Sequence, residues 1–155
     1  MTTNYQIVVG VDGSDGGRRA LRWAVREAAG HGGTVQAVTA WRWDGIDAMP
    51  PGTLSPADER ERAETMLRHE IEMVPPHERG ALPIATEVLE GRPGDVLAAA
   101  ARRADLLVLG SHGHSRVRHT VLGSVSEECI RKSSCPVVVV PVPHPVPSPA
   151  TPAVP

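Results

Sequence analysis

Leu106-Leu-Val-Leu-Gly-Ser-His-Gly113, separated by nine residues from Gly123-Ser124, is the stretch that decides the fold. An apolar run ends in a glycine-rich turn, and a helical pattern begins at Gly123-Ser124. Glycines at the exit of a strand, and a Gly-Ser pair at the start of a helix, let main-chain N–H groups surround an anion such as a phosphate. The stretch therefore predicts a strand, a phosphate-binding loop and a helix, in that order.

Strand and helix patterns alternate along the rest of the chain. Strands are predicted at residues 7–11, 34–41, 84–89, 105–109 and 136–140. Helices are predicted after an N-cap at Ser14, after a capping box at Ser55-Pro-Ala-Asp58 and up to Pro75-Pro76, over residues 93–103, and after a second capping box at Ser124-Val-Ser-Glu127. This order predicts an α/β fold, with a mostly parallel sheet covered by helices on both faces.

The composition is typical of one globular domain of 155 residues, 41% of them hydrophobic. A net charge of −2 without a basic stripe argues against a nucleic-acid partner. No segment approaches the ~20 apolar residues that cross a bilayer, and the start of the chain lacks a signal-peptide pattern, so we expect a cytoplasmic protein with no membrane association. Cys129 and Cys135 are too few for a disulfide framework and are expected to be buried free thiols.

The composition changes after Val140, where proline alternates with small residues. We therefore predict one folded domain over residues 1–141, which carries the candidate phosphate-binding loop, and a disordered, proline-rich tail over residues 142–155.

The glycines form the spacing Gly-x2-Gly-x9-Gly-Ser. Gly110 and Gly113 would let the main chain approach a ribose and phosphates, and Gly123, Ser124 and Val125 would present the free N–H groups and positive end of the last helix. An alternative needs no ligand, because glycines often follow strands and a Ser124–Glu127 capping box is complete in itself.

Other nucleotide-binding patterns are absent from the sequence. There is no Gly-x4-Gly-Lys-Ser/Thr, and the turn after the first strand lacks the Gly-x-Gly-x-x-Gly of nicotinamide-binding domains. His112 and His114 follow the fourth predicted strand, whereas the paired histidines of nucleotidyltransferases follow the first. A metal site built from His112, His114 and His119 is disfavoured, because histidines in loops are usually solvated.

Several separated motifs then match one family. The chain resembles the universal stress proteins, in the subclass that binds ATP, over roughly residues 5–141. The matching motifs, besides the glycine signature and Ser124-Val-Ser-Glu127, are Ile7-Val-Val-Gly-Val-Asp-Gly-Ser14, Gly91-Arg-Pro93 and Cys135-Pro-Val-Val-Val-Val-Pro141.

The resemblance implies a single-domain, open five-stranded parallel sheet of order 3-2-1-4-5, of the adenine nucleotide alpha hydrolase-like class. ATP would lie over the first and fourth strands, with Mg²⁺ or Mn²⁺ bridging its phosphates. Asp12 would bond the ribose or adenine end, and Ala40 would meet the adenine through its main chain. The residues implied at the nucleotide are Asp12, Ala40, Gly110, His112, Gly113, Gly123, Ser124 and Val125.

The same resemblance implies a homodimer through the last strand, Val137–Val140, and a regulatory protein of the stress response. His112 or His114 stands where many members of the family carry arginine, which would make the charge beside the phosphates depend on pH. Arg116 or Arg118 would be able to compensate. Two alternatives stay open: slow ATP hydrolysis at the same site, and an interaction scaffold that holds no nucleotide.

Overall fold

The computed structural model describes residues 4–43, 55–113 and 122–143. Its strands are β1 (Gln6–Gly10), β2 (Thr34–Trp41), β3 (Ile84–Glu90), β4 (Leu106–Gly110) and β5 (Val137–Val140). Its helices are α1 (Asp15–His31), α2 (Pro56–Glu72), α3 (Pro76–Arg79), α4 (Pro93–Ala100) and α5 (Ser124–Lys132).

The strands pair in one parallel sheet in the order β3-β2-β1-β4-β5, which confirms the expected topology. β1 is central: its Val8 lies opposite Gln36 of β2 on one side and Leu107 of β4 on the other. The chain builds β2 and β3 to one side of β1 and then crosses over to build β4 and β5. The strand order therefore reverses between β1 and β4, and parallel sheets bind ligands in the crevice at such a reversal.

Apolar layers cover both faces of the sheet. Ile7 and Val9 are wholly buried in the layer beneath α1 and α2, and Val8 is wholly buried in the layer beneath α4 and α5. Cys129 lies in the second layer as a free thiol, and burial raises its pKa to about 11. Cys135 is also free but only half-buried, so the expectation of a buried thiol is confirmed fully for Cys129 alone.

A buried carboxylate joins α1 to α2. Glu70 of α2 is 3% exposed, and the Arg18 guanidinium donates to its two oxygens at 2.8 and 3.1 Å. Such a bidentate pair satisfies a carboxylate that would otherwise be costly to bury. Sequence periodicity gave no sign of it, because a glutamate within a charged helix normally faces water.

The helix boundaries differ from the predictions at three places. α2 ends at Glu72 with Met73 as its C-cap, shortly before the expected stop at Pro75-Pro76, and Pro76 begins the one-turn helix α3, because proline fits the first position of a helix. The predicted helix over residues 93–103 is α4 followed by a 3₁₀ turn at Ala101–Arg103. The third difference concerns the start of α5, where the candidate site lies.

The N-cap at Ser14 and the capping box of Ser55 with Asp58 are confirmed. From residue 144 onward, the predicted proline-rich tail lies outside the described residues. None of the helices in the described ranges is long and apolar enough to cross a membrane.

Candidate functional site

A cleft opens at the carboxyl ends of β1 and β4, where the strand order reverses. Its walls come from the residues after these two strands and from the first turns of α1 and α5. The cleft holds a cavity of about 220 Å³ and opens to solvent. Its lining combines apolar side chains with a few polar groups, as the lining of small-molecule sites usually does.

All eight residues that we expected at the nucleotide line this one cleft. They come from four separate parts of the chain: the residue after Val11, the end of β2, the end of β4 with its following loop, and the start of α5. They are Asp12, Ala40, Gly110, His112, Gly113, Gly123, Ser124 and Val125. The fold brings them together, and their individual contacts with a ligand stay predictions.

Gly110 is the point where β4, α1 and α5 meet. A Cβ atom on Gly110 would lie 2.7 Å from the carbonyl carbon and 2.8 Å from the carbonyl oxygen of Gly16, in the first turn of α1. The carbonyl of Gly110 accepts a hydrogen bond from the Ser126 hydroxyl of α5 at 2.8 Å. Any side chain here would push α1 away from β4.

Gly113 makes room for the Asp12 carboxylate. A Cβ on Gly113 would collide with Asp12 Oδ2, and a Cβ on Gly17 would lie 2.7 Å from Asp12 Oδ1. Asp12 Oδ1 also accepts a hydrogen bond from the Ser14 N–H at 3.0 Å. The space that Gly110 and Gly113 leave open is needed by the main chain of Gly16 and by the Asp12 carboxylate. The expected approach of these two glycines to ribose and phosphates stays a prediction.

The start of α5 corrects our capping prediction. Gly123 is the N-cap, Ser124 is already helical, and no side chain of the described residues caps this end. The first helical bond runs from the Glu127 N–H to the Gly123 carbonyl at 3.1 Å. The N–H groups of Ser124, Val125 and Ser126 therefore have no helical partner, and these three residues line the cleft.

The prediction failed because a tertiary contact decides the conformation of Gly123. Its N–H donates to the Ser111 carbonyl at 2.6 Å, and its φ and ψ of −73° and 163° are extended. The helix can begin only after this residue. Ser124 thus enters the first turn, with its hydroxyl not used as a cap.

An apolar wall completes the cleft. Ala40 and Val38 of β2, Leu97 of α4 and Leu109 of β4 supply it. Gly10 lies between the two leucines, since a Cβ there would be 2.9 Å from Leu109 and 3.0 Å from Leu97.

Half of the lining residues were not predicted. They come from β1 and the residue after it, β2, β4, the start of α1, the middle of α4 and the first turn of α5: Gly10, Val11, Ser14, Gly17, Val38, Leu97, Leu109 and Ser126. The ends of the predicted strands pointed to Val11 and Leu109, since they lie at the edge where ligands bind. No local pattern pointed to Leu97, which the fold brings in from a helix.

A buried hydroxyl also fixes the loop after β1. Thr39 is 4% exposed, and its Oγ1 donates to the Val11 carbonyl at 2.8 Å. The Val11 N–H in turn donates to the Val38 carbonyl at 2.9 Å. Both main-chain groups of Val11 are held by β2, so Asp12 begins its turn from a fixed point.

His112 lines the cleft, and its Nδ1 lies 3.2 Å from the Ser111 hydroxyl. His114, Arg116, Arg118 and His119 lie outside the described residues. Among the lining residues that the structure describes, Asp12 is the one carboxylate, and there is no lysine or arginine.

An ion-pair cluster binds α5 to α4. The Lys132 ammonium donates to Glu128 at 2.7 Å and to Asp95 of α4. Its hydrogen bonds hold the pKa of both carboxylates below their usual values. The cluster lies on the second half of α5, so the first turn depends on other contacts.

A sequence profile of the universal stress protein family matches residues 4–141. The chain belongs to this family. A universal stress protein of Mycobacterium tuberculosis is 33% identical over 88% of the chain, which spans only 48% of that relative. The chain thus spans about half the length of this longer relative. A universal stress protein of Thermus aquaticus is 31% identical, over 86% of this chain and 96% of that one.

Solved structures of universal stress proteins share the fold. One, in complex with cAMP, is 28% identical with a TM-score of 0.68, covering 90% of this chain and 98% of that one. Another, from Archaeoglobus fulgidus in complex with dAMP, is 25% identical with a TM-score of 0.53, covering 87% and 96%. The predicted fold class, an open parallel sheet like that of the adenine nucleotide alpha hydrolases, is confirmed.

The packing at Gly110 can be tested by Gly110→Ala. We expect this variant to lower the free energy of unfolding by about 1–3 kcal/mol, because the new methyl group meets main-chain atoms that cannot rotate away. The measurement is urea unfolding followed by circular dichroism.

Gly30→Ala is the matched control. Gly30 lies in α1, and a methyl group there would have no atom within 4 Å, so alanine should stabilise the helix by up to about 1 kcal/mol. A Gly110→Ala protein as stable as the wild type would contradict the packing described for this junction.

Proposed function

We propose that this universal stress protein binds ATP in the cleft and acts as a regulator, whose bound nucleotide biases its dimer or its interaction with a partner protein. The observation that carries the proposal is the uncapped start of α5 in the same cleft as an apolar wall. The uncapped start of α5 suits a charged phosphate, and the apolar wall suits a flat, largely apolar base.

The adenine would bind among the apolar side chains. Val38, Leu97 and Leu109 supply aliphatic surface, and Ala40 lies near the end of β2, where main-chain groups can bond the edge of a base. Ligand sites typically combine such apolar walls with a few polar groups that fix orientation. Asp12, held by Ser14 at the cleft, would accept hydrogen bonds from the ribose or adenine end.

The phosphates would bind at the first turn of α5. The N–H groups of Ser124, Val125 and Ser126 are free of helical partners there, and the helix dipole adds a partial positive charge. Such groups stabilise an anion without a lysine or arginine. The Ser124 hydroxyl, which does not cap the helix, adds a further donor.

Mg²⁺ or Mn²⁺ would accompany the triphosphate. In the described part of the chain, no group of three His, Cys, Asp or Glu side chains is arranged to hold a metal ion. Mg²⁺ at nucleotide sites is held largely by phosphate oxygens and water, with one or two carboxylates. The oxygens of Asp12, Ser14 and Ser124 at the cleft fit that mode, in which the cation offsets phosphate charge.

Family relatives support an adenine nucleotide as the ligand class. One solved universal stress protein is in complex with cAMP and another with dAMP. Both compounds combine an adenine with a phosphate, as this cleft combines an apolar wall with free N–H groups. ATP is our choice among adenine nucleotides because the glycine and serine motif of this chain resembles that of the ATP-binding subclass.

Ser124→Pro tests the phosphate site. Proline fits the first position of a helix, and Gly123 before it already has the extended conformation that proline requires. The variant should fold normally while losing one N–H donor and the hydroxyl. We expect ATP affinity to fall about 10- to 100-fold in calorimetry, as for the loss of a hydrogen bond to a charged group, with adenosine affinity unchanged.

Ser124→Ala is the control, because it keeps the N–H and loses only the hydroxyl. Its ATP affinity should lie between those of the wild type and Ser124→Pro. The proposal would be contradicted if Ser124→Pro bound ATP as tightly as the wild type does. It would also be contradicted if the wild type did not bind ATP.

The proposed dimer would form along the outer edge of β5, beside which no further strand lies among the residues that the structure describes. Leu107 and Ser111 donate their N–H groups to the Pro136 and Val140 carbonyls, each at 3.0 Å. Main-chain groups of a strand alternate between its two sides. Because the main chain of Val140 bonds β4, that of its neighbour Val139 faces away from β4.

Apolar side chains accompany this outer edge. The valines of β5 are half-buried, and Val142 just after β5 is 41% exposed. An apolar edge strand without a cover is prone to pair with another chain. A second copy of this chain, added along β5, would cover it in a symmetric way.

Val139→Pro removes the outward N–H while leaving the bonds to β4 in place. We expect it to be monomeric in sedimentation experiments at concentrations where the wild type is a dimer. Val139→Thr, which keeps both the shape and the N–H, should remain dimeric. A dimer of Val139→Pro as tight as that of the wild type would exclude pairing through this edge.

A further inference from the structure

Two hydrogen bonds join the end of β4 directly to the start of α5, without any residue of the segment 114–121. The Gly123 N–H donates to the Ser111 carbonyl at 2.6 Å. The Ser126 hydroxyl donates to the Gly110 carbonyl at 2.8 Å. The first bond fixes the residue before the helix, and the second fixes the first helical turn.

Ser126 is built into the site. It is 3% exposed, lines the cleft, and is the third residue of α5. Its hydroxyl donates to Gly110, whose other side is packed against Gly16 of α1. The hydroxyl therefore joins a helix terminus, where the main chain lacks helical bonds, to the point where Gly110 packs against the main chain of α1.

We propose that Ser126 is a positioning residue of the nucleotide site. Its hydroxyl sets the separation between the end of β4 and the free N–H groups of Ser124 and Val125, and so governs the affinity for phosphate groups. Preorganised donors bind an anion better than donors that must first be ordered. This inference rests on the proposed function for its effect on ligands, but its structural part can be measured without any nucleotide.

Ser126→Ala tests the inference through the ratio of two affinities. With Mg²⁺ held constant, the ATP affinity divided by the adenosine affinity should fall about three- to tenfold, as expected for one lost hydrogen bond. A variant that merely weakened the fold would lower both affinities together and leave the ratio unchanged.

Ser133→Ala is the matched control. The Ser133 hydroxyl also donates to a carbonyl, that of Cys135 at 2.9 Å, but it follows the other end of α5. Its loss should leave the affinity ratio at the wild-type value.

Hydrogen exchange of the Gly123 amide in nucleotide-free protein is the second readout. Ser126→Ala should speed this exchange about three- to tenfold, because the first turn is no longer held against Gly110, whereas Ser133→Ala should not. If the wild type binds ATP, either of two results for Ser126→Ala would overturn the role of Ser126: exchange of the Gly123 amide at the wild-type rate, or an affinity ratio equal to that of the wild type. A wild type that binds no ATP while Ser126→Ala speeds exchange would refute the proposed function and keep the positioning contact.

Discussion

The close approach of three chain segments at Gly110 is the constraint on which the cleft depends. The main chain of Gly16 occupies the space where a side chain would be, and Ser126 bonds the carbonyl from α5. The ends of β4, α1 and α5 are therefore held within contact of one another by main-chain packing and one hydroxyl. Because protein interiors pack densely and yield little, such a junction keeps its geometry without a ligand.

A second contact holds the other side of the cleft. Thr39 bonds the Val11 carbonyl as Ser126 bonds that of Gly110. Each buried hydroxyl lies on an element different from the loop it fixes, so β2 orders the loop after β1 and α5 orders the loop after β4. On the proposed function, the first contact orients Asp12 toward the nucleoside and the second orients free amides toward the phosphates.

The sequence predicted the fold and the location of the site because both follow from local patterns. Apolar runs separated by helical repeats define parallel strands, and polar or glycine-rich residues after strands such as Gly110 must meet at one edge of the sheet. The contacts that fix the site were beyond such patterns. Ser126 and Thr39 bond carbonyls 16 and 28 residues away, and no spacing rule connects them.

At two positions, Gly123 and Glu70, a tertiary contact overrides the conformation or exposure that the local sequence favours. Ser124-Val-Ser-Glu127 has the pattern of a capping box, yet a bond from Gly123 to Ser111 makes Gly123 the cap. Glu70 lies in a charged helix, yet Arg18 of α1 holds it in the interior.

The most direct test of the account is an NMR titration of the amide signals with ATP and Mg²⁺. The account predicts the largest shifts at Ser124 and Val125, and shifts confined to α2, or none at all, would contradict it.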